Sequence, residues 1–309
     1  MTKIIIDTDI GDDVDDALAL AFALKCPEID ILGITTVYKN TALRAELAAK
    51  LITLYGRSDI PVVKGVTQPI VGNVDENEIP AQCSILNKPF HNTNGKLAPE
   101  FIVDTVKKNR DLNIVTLGPL SNIASCIQIA PDVMKKCSIT IMGGMTQNAF
   151  PEGNISSDPE AAKIVFQSGI PISMLGLDVT LKCSLPFESI AKIRDRSLLQ
   201  TDLLYKLIHI WKEETLTPIY KAWDVLPPAD GAYTTGMHDP MAIAFVAMPS
   251  LFKTKMTLIA VETAGEYTRG VTVERLNVFN GQPLGYNTNL VIDVQKEKLM
   301  KLFLHRILM

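Results

Sequence analysis

Residues 3–20 read KIIIDTDIGDDVDDALAL, and the reading of the whole chain turns on them. Ile4, Ile5 and Ile6 form an unbroken apolar run closed by a turn signal, the pattern of a strand buried on both faces. Gly11 supplies the turn. From Val14 the apolar positions Val14, Ala17, Leu18, Ala21 and Leu24 follow helical spacing. Six aspartates (Asp7, Asp9, Asp12, Asp13, Asp15 and Asp16) crowd into ten residues at this junction of strand and helix. In open α/β sheets ligands bind there, in the crevice outside the carboxyl ends of the strands. So much like charge in one loop is costly unless something positive is bound. A multivalent cation is the simple answer, and hard carboxylate oxygens suit Ca²⁺ or Mg²⁺. The plainer reading is a solvated acidic cap on a helix N-terminus. Acids on the strand side of Gly11 speak against it.

The 309 residues carry a formal net charge of −4, with 47% hydrophobic and 21% charged residues. That composition is ordinary for a soluble globular protein and, with no basic stripe, argues against nucleic acid as a partner. No apolar stretch approaches membrane-spanning length, and the first residues lack a signal-sequence pattern, so no membrane partner is expected. The five cysteines are odd in number and without C-x-x-C spacing, which suggests neither a disulfide framework nor a zinc site. A cytoplasmic location is the expectation.

Outward from the acidic stretch, strands are expected at 29–37, 61–64, 113–117, 138–142 and 171–175. Helices are expected between them at 41–55, 99–108, 118–129 and 159–166. This alternation predicts an α/β fold with a mostly parallel, doubly wound, Rossmann-like sheet. The C-terminal half adds helices at 185–194, 198–211, 241–247 and 296–308, with further strands near 256–261, 268–274 and 289–294. No repeat or linker breaks the chain, and residues 1–309 are expected to form a single domain. Residues 65–97 make a long polar loop carrying His91, and a loop of that length is more often functional than idle.

Three sets of polar residues follow apolar strands: the acidic cluster, Asn40, and Glu152 with Asn154. His238-Asp239 at the start of a helix is a fourth candidate. Taken singly, a lone histidine is more often structural, Asp239 could be a helix cap, and Glu152 and Asn154 could be ordinary loop residues.

Together, D-T-D-x-G followed by D-D-A-x-A-L, then G-G…E-x-N…D-P-E-A-A, G-L-D-V-T and H-D-P, resemble the nucleoside hydrolases, the inosine–uridine-preferring ribohydrolases. The resemblance runs from Lys3 to about Val273 with the motif order intact. It implies hydrolysis of a ribonucleoside to free base and ribose, and a Ca²⁺ held by Asp9, Asp16, the carbonyl of Leu117 and Asp239. It further implies Asp9 as the general base for water and His238 as the acid for the leaving base. Asp15, Asn40, Glu152 and Asn154 would bind ribose, and His91 would reach the base from its loop. A homodimer or homotetramer is implied as well. The chemistry suits these residue types, since carboxylates stabilise an oxocarbenium-like sugar and an imidazole can protonate a poor leaving group.

The chain departs from the family pattern in places. Two extra residues separate Asp9 from the final aspartate pair, leaving Asp12 and Asp13 without a role. Thr146 stands where the family has an asparagine, so Asn148 is the candidate replacement. The nucleobase stays open. Two rival readings are a Mg²⁺-dependent aspartyl phosphatase, which also places D-x-D after its first strand, and a non-catalytic nucleoside-binding module. The first leaves Glu152, Asn154 and His238-Asp239 without a job. The second sits badly with intact Asp9, Asp16 and His238.

Overall fold

The computed structural model describes all residues except 87–94, 223–232, 276–277, 280–281 and 284. The chain opens with β1 (Thr2–Thr8), α1 (Asp15–Leu24), β2 (Ile29–Thr36), α2 (Thr41–Leu54) and β3 (Val62–Lys64). A 3-10 turn at Ala81–Ile85 leads to α3 (Ala98–Lys108), β4 (Asn113–Thr116), α4 (Ser121–Ile129), α5 (Pro131–Met134) and β5 (Ser138–Met142). Next come α6 (Gly153–Ser157), α7 (Pro159–Phe166), β6 (Ile172–Leu175) and α8 (Leu177–Thr180). A short strand β7 (Ser184–Leu185) precedes α9 (Phe187–Asp195), α10 (Leu199–Trp211) and α11 (Thr217–Ala222). Strand β8 (Thr235–Gly236) then introduces α12 (His238–Ala247). The last elements are β9 (Phe252–Val261), β10 (Thr272–Arg275), β11 (Val278–Phe279), β12 (Gln282–Pro283), β13 (Thr288–Val294) and α13 (Lys296–Ile307).

One nine-stranded sheet gathers the major strands in the order β10-β9-β13-β6-β5-β4-β1-β2-β3. From β13 to β3 every pairing is parallel; β9 alone runs the other way, antiparallel to both β13 and β10. The strand order turns back on itself between β1 and β4, which makes their carboxyl ends the switch point of the sheet. The expected doubly wound architecture is thus present.

The apolar run predicted to be buried on both faces behaves as the pleat requires. Ile4 and Ile6 join the core shared with α1, α2, α10, α12 and α13, and Ile5 joins the core under α3, α4 and α7. Helix α1 is buried almost all round, packed between α12 and α2. Several expected boundaries move. The strand expected at 268–274 starts at Thr272, because Gly270, at φ +85°, closes a turn by donating to the Glu262 carbonyl at 2.8 Å. Residues 177–180 form one helical turn. Helix α4 begins at Ser121, beyond Pro119. Among the described residues no helix is long and apolar enough to cross a membrane.

Candidate active site

The site forms where β1 and β4 part. Asp9 lies just past β1, its carboxylate against the end of β4. A Cβ on Gly118 would approach Asp9 Oδ1 to 2.7 Å, so only glycine leaves room there. Helices α1 and α12 lie side by side, with Ala17–Phe22 and Met241–Ala244 fully buried. Their first turns therefore open on the same spot. The carboxylate oxygens of Asp15, Asp16 and Asp239 fall within 4.8 Å of one another, and all three residues are buried. Two helix N-termini supply partial positive charge to this cluster.

Asp9, Asp15, Asp16, Leu117, Glu152, Asn154, His238 and Asp239 all line one cavity of about 290 Å³. The Thr8 hydroxyl donates to Asp16, and the Asp239 amide donates to Asp15 Oδ2 at 3.3 Å. Glu152 caps α6: its Oε1 accepts from the Asn154 amide at 2.9 Å, and its Oε2 accepts from Gly144 at 2.8 Å and Ile155 at 3.1 Å. Asn154 donates its side-chain amide to the carbonyls of Leu117 (2.7 Å) and Met142 (3.1 Å), bridging the ends of β4 and β5. What Asn154 retains for a ligand hydroxyl is its acceptor oxygen.

The electrostatics follow from burial. Burial pushes Asp9 up to about 6, partly offset by the Arg44 guanidinium. Asp15, Asp16 and Asp239 rise well above the usual carboxylate range, first through burial and then through the neighbouring aspartates. Four crowded carboxylates cannot all ionise at neutral pH unless a cation joins them. The donor set fits that cation: hard oxygens only, with the Leu117 carbonyl beside them, as Ca²⁺ prefers.

His238 opens α12 and is partly buried, which lowers its pKa below the ordinary 6.5. Its Nδ1 lies 2.8 Å from the Thr180 hydroxyl at the end of α8. Gly236 faces the other side of the ring, where a Cβ would come within 2.3 Å of Nε2. The β7–β8 ribbon pairs Ser184 with Gly236 and so fixes this arrangement.

Two expected substrate residues lie elsewhere. Asn40 caps α2, its side chain accepting from the Leu43 amide at 3.2 Å, and does not line the cavity. Asn148 is exposed and also lies off the cavity. The physical reason is that its loop is pinned further back: Asp178 accepts from the Thr146 amide (2.7 Å), the Thr146 hydroxyl (2.9 Å) and the Gln147 amide (3.1 Å). His91 falls outside the described residues.

Sequence reasoning missed Thr180, Gly236 and Arg44. Thr180 closes the G-L-D-V-T motif and Gly236 lies two residues before H-D-P, and neither carries a signal beyond that. Arg44 carries one: it sits on the buried stripe of α2, with Thr41, Ala48 and Leu51.

Comparison with known proteins agrees with this geometry. The family model described as inosine-uridine preferring nucleoside hydrolase matches residues 4–301. The chain is 32% identical to the pyrimidine-specific ribonucleoside hydrolase RihA of Escherichia coli O1:K1 / APEC, over 98% of this chain and 97% of that one. Among solved structures, a plant nucleoside hydrolase, the PpNRh1 enzyme, superposes with a TM-score of 0.86 at 28% identity, covering 99% of this chain and 98% of that one. The purine-preferring ribonucleoside hydrolase from Gardnerella vaginalis gives 0.81 at 28% identity, with the same coverage.

Proposed function

Because the chain belongs to the inosine-uridine preferring nucleoside hydrolase family, we propose that its acid-lined cavity is where it hydrolyses ribonucleosides to free base and ribose. The observation that carries the assignment of roles is the meeting of two carboxylate-bearing helix N-termini with Asp9, Glu152, Asn154 and His238 in one cavity.

Asp9, Asp16, Asp239 and the Leu117 carbonyl would hold Ca²⁺. When bound, the ion supplies a water of lowered pKa and a chelating point for vicinal ribose hydroxyls. Asp9 takes the proton of the attacking water as its oxygen bonds to the anomeric carbon. Asp15, Glu152 and Asn154 orient the ribose, and their negative charge and dipoles stabilise the cation that develops on the sugar. As the N-glycosidic bond breaks, its electron pair leaves with the base. His238 gives a proton to that base from Nε2, the nitrogen not engaged by Thr180. Asn40, Asn148 and His91 would contribute from their loops once substrate is present.

The base is set by contacts beyond this sugar site. Relatives of similar likeness act on pyrimidine nucleosides in one case and purine nucleosides in the other. All five cysteines are free and buried, which fits a reducing cytoplasm, and the chain would act there as a homodimer or homotetramer.

The test is product analysis on a panel of purine and pyrimidine ribonucleosides. Equal amounts of ribose and free base from at least one of them are expected. Ribose phosphate as the product, or no cleavage across the panel, would contradict the proposal.

A further inference from the structure

Arg44 is fully buried, four residues after Asn40 in the first turn of α2. It reaches from α2 to the loop between β1 and α1. Its Nη1 donates to the carbonyls of Asp9 and, at 3.1 Å, Ile10, while Nη2 donates to the Asp12 carboxylate at 2.7 Å. Its Nε donates to the Tyr38 carbonyl at 2.9 Å. One side chain therefore grips both loops beside the acid cluster. The second of these needs gripping, because Tyr38 and Lys39 have φ of 69° and 54°, a region that non-glycine residues seldom occupy. From the other side Gln82, itself fully buried, donates its side-chain amide to the carbonyls of Asp13 (2.7 Å) and Asp12 (3.3 Å). The Gln82 backbone amide donates to the Gly11 carbonyl at 2.9 Å. Asp12 and Asp13 are the residues by which this loop exceeds the short D-x-D-x-G-x-D-D spacing. Asp12 supplies the carboxylate that neutralises the buried guanidinium.

We infer that Arg44 is a positioning residue for the Ca²⁺ site, acting through the Asp9 backbone and through Asp12. It sets the Asp9 carboxylate against those of Asp16 and Asp239 before the ion arrives. The inference rests on the Ca²⁺-dependent reading given above. Two effects of Arg44 on the ion have opposite signs. Its charge repels a second cation, so removing charge alone would tighten Ca²⁺ binding. Its planar fork holds the loop, so removing the fork loosens the site and weakens binding. Lysine keeps the charge but cannot span these acceptors, and Arg44→Lys therefore isolates the fork.

The experiment is calorimetric titration of Ca²⁺ into chelator-stripped protein, with circular dichroism and melting curves to verify folding. Wild type, Arg44→Lys, Arg44→Met, Asp12→Asn and the Arg44→Lys/Asp12→Asn double variant are compared. Arg44→Lys is expected to weaken Ca²⁺ binding by about 10–100-fold, the range for groups that hold metal ligands in place. Asp12→Asn loses less, because the bonds to the carbonyls survive. The double variant loses no more than Arg44→Lys alone, since both act on one network. Unchanged affinity in Arg44→Lys, or tighter binding in Arg44→Met, would overturn the inference. If both Arg44 variants fail to fold, Asp12→Asn decides, its side chain being 47% exposed: weakened binding supports the clamp and unchanged binding overturns it. Wild-type protein that takes up no Ca²⁺ would overturn the metal reading itself.

Discussion

His238 shows how much of the proposed chemistry depends on single contacts. Its Nδ1 is engaged by Thr180, and Nε2 is left beside Gly236, the only residue type that would not crowd it. His238→Ala should lower turnover on natural nucleosides by about 10²–10⁴-fold, the usual worth of general acid catalysis. It should leave p-nitrophenyl riboside largely unaffected, since that leaving group needs no proton. Equal losses on both substrates would remove His238 from the acid role. Asp9→Ala should abolish both activities. Thr180→Val keeps the shape and deletes the hydroxyl, so it should reproduce the His238→Ala selectivity at smaller amplitude. Steady-state kinetics on the paired substrates measure all three variants.

At the scale of elements, the site is the product of helix starts and strand ends held by buried polar groups. Asp158 is the clearest case outside the cluster. It is fully buried and accepts from the Ala161 amide (3.1 Å), the Ser121 hydroxyl (2.6 Å) and the Ile70 amide (3.1 Å), tying α7, α4 and the loop after β3 together. Asp158→Ala removes a helix cap and leaves buried donors unpaired, so a loss of about 2–4 kcal/mol is expected. Urea unfolding would report it as a lower midpoint with an unchanged slope. The sequence made most of these elements legible. Runs such as Ile4–Ile6 and 138–142 are buried on both faces and read as continuous apolar strands. The D-P step at Asp158-Pro159 announced α7. What stayed hidden depends on contacts between distant segments. The β7–β8 ribbon is two residues a side, too short for periodicity to register. The cap that Glu152 provides for α6 is invisible until the turn exists. Nor does spacing along a loop reveal that Asp178, thirty residues on from Asn148, pins the backbone before it.

For the whole molecule, the acid cluster couples stability to pH and, as proposed, to a bound ion. Asp9 is pushed up to about 6 and Asp7 to about 7 by burial, against an ordinary 3.8, and the Asp15, Asp16 and Asp239 carboxyls rise as well. Between the ordinary value and these raised ones, the native chain holds protons that the unfolded chain has lost. Stability of the metal-free protein must therefore fall as pH rises through that window. Melting curves of chelated protein should show a higher Tm at about pH 5 than at about pH 7. Ca²⁺ requires ionised ligands, so its binding should release protons and raise the Tm most at the higher pH. A metal-free Tm that climbs with pH would contradict the burial of these carboxyls. As proposed, this buried cluster at the switch point of the sheet needs Ca²⁺ to hydrolyse ribonucleosides. The most direct test is ribose release by chelator-stripped protein as Ca²⁺ is returned. No ribose is expected without the ion, with recovery that saturates at one Ca²⁺ per chain; ribose release indifferent to the chelator would contradict the proposal.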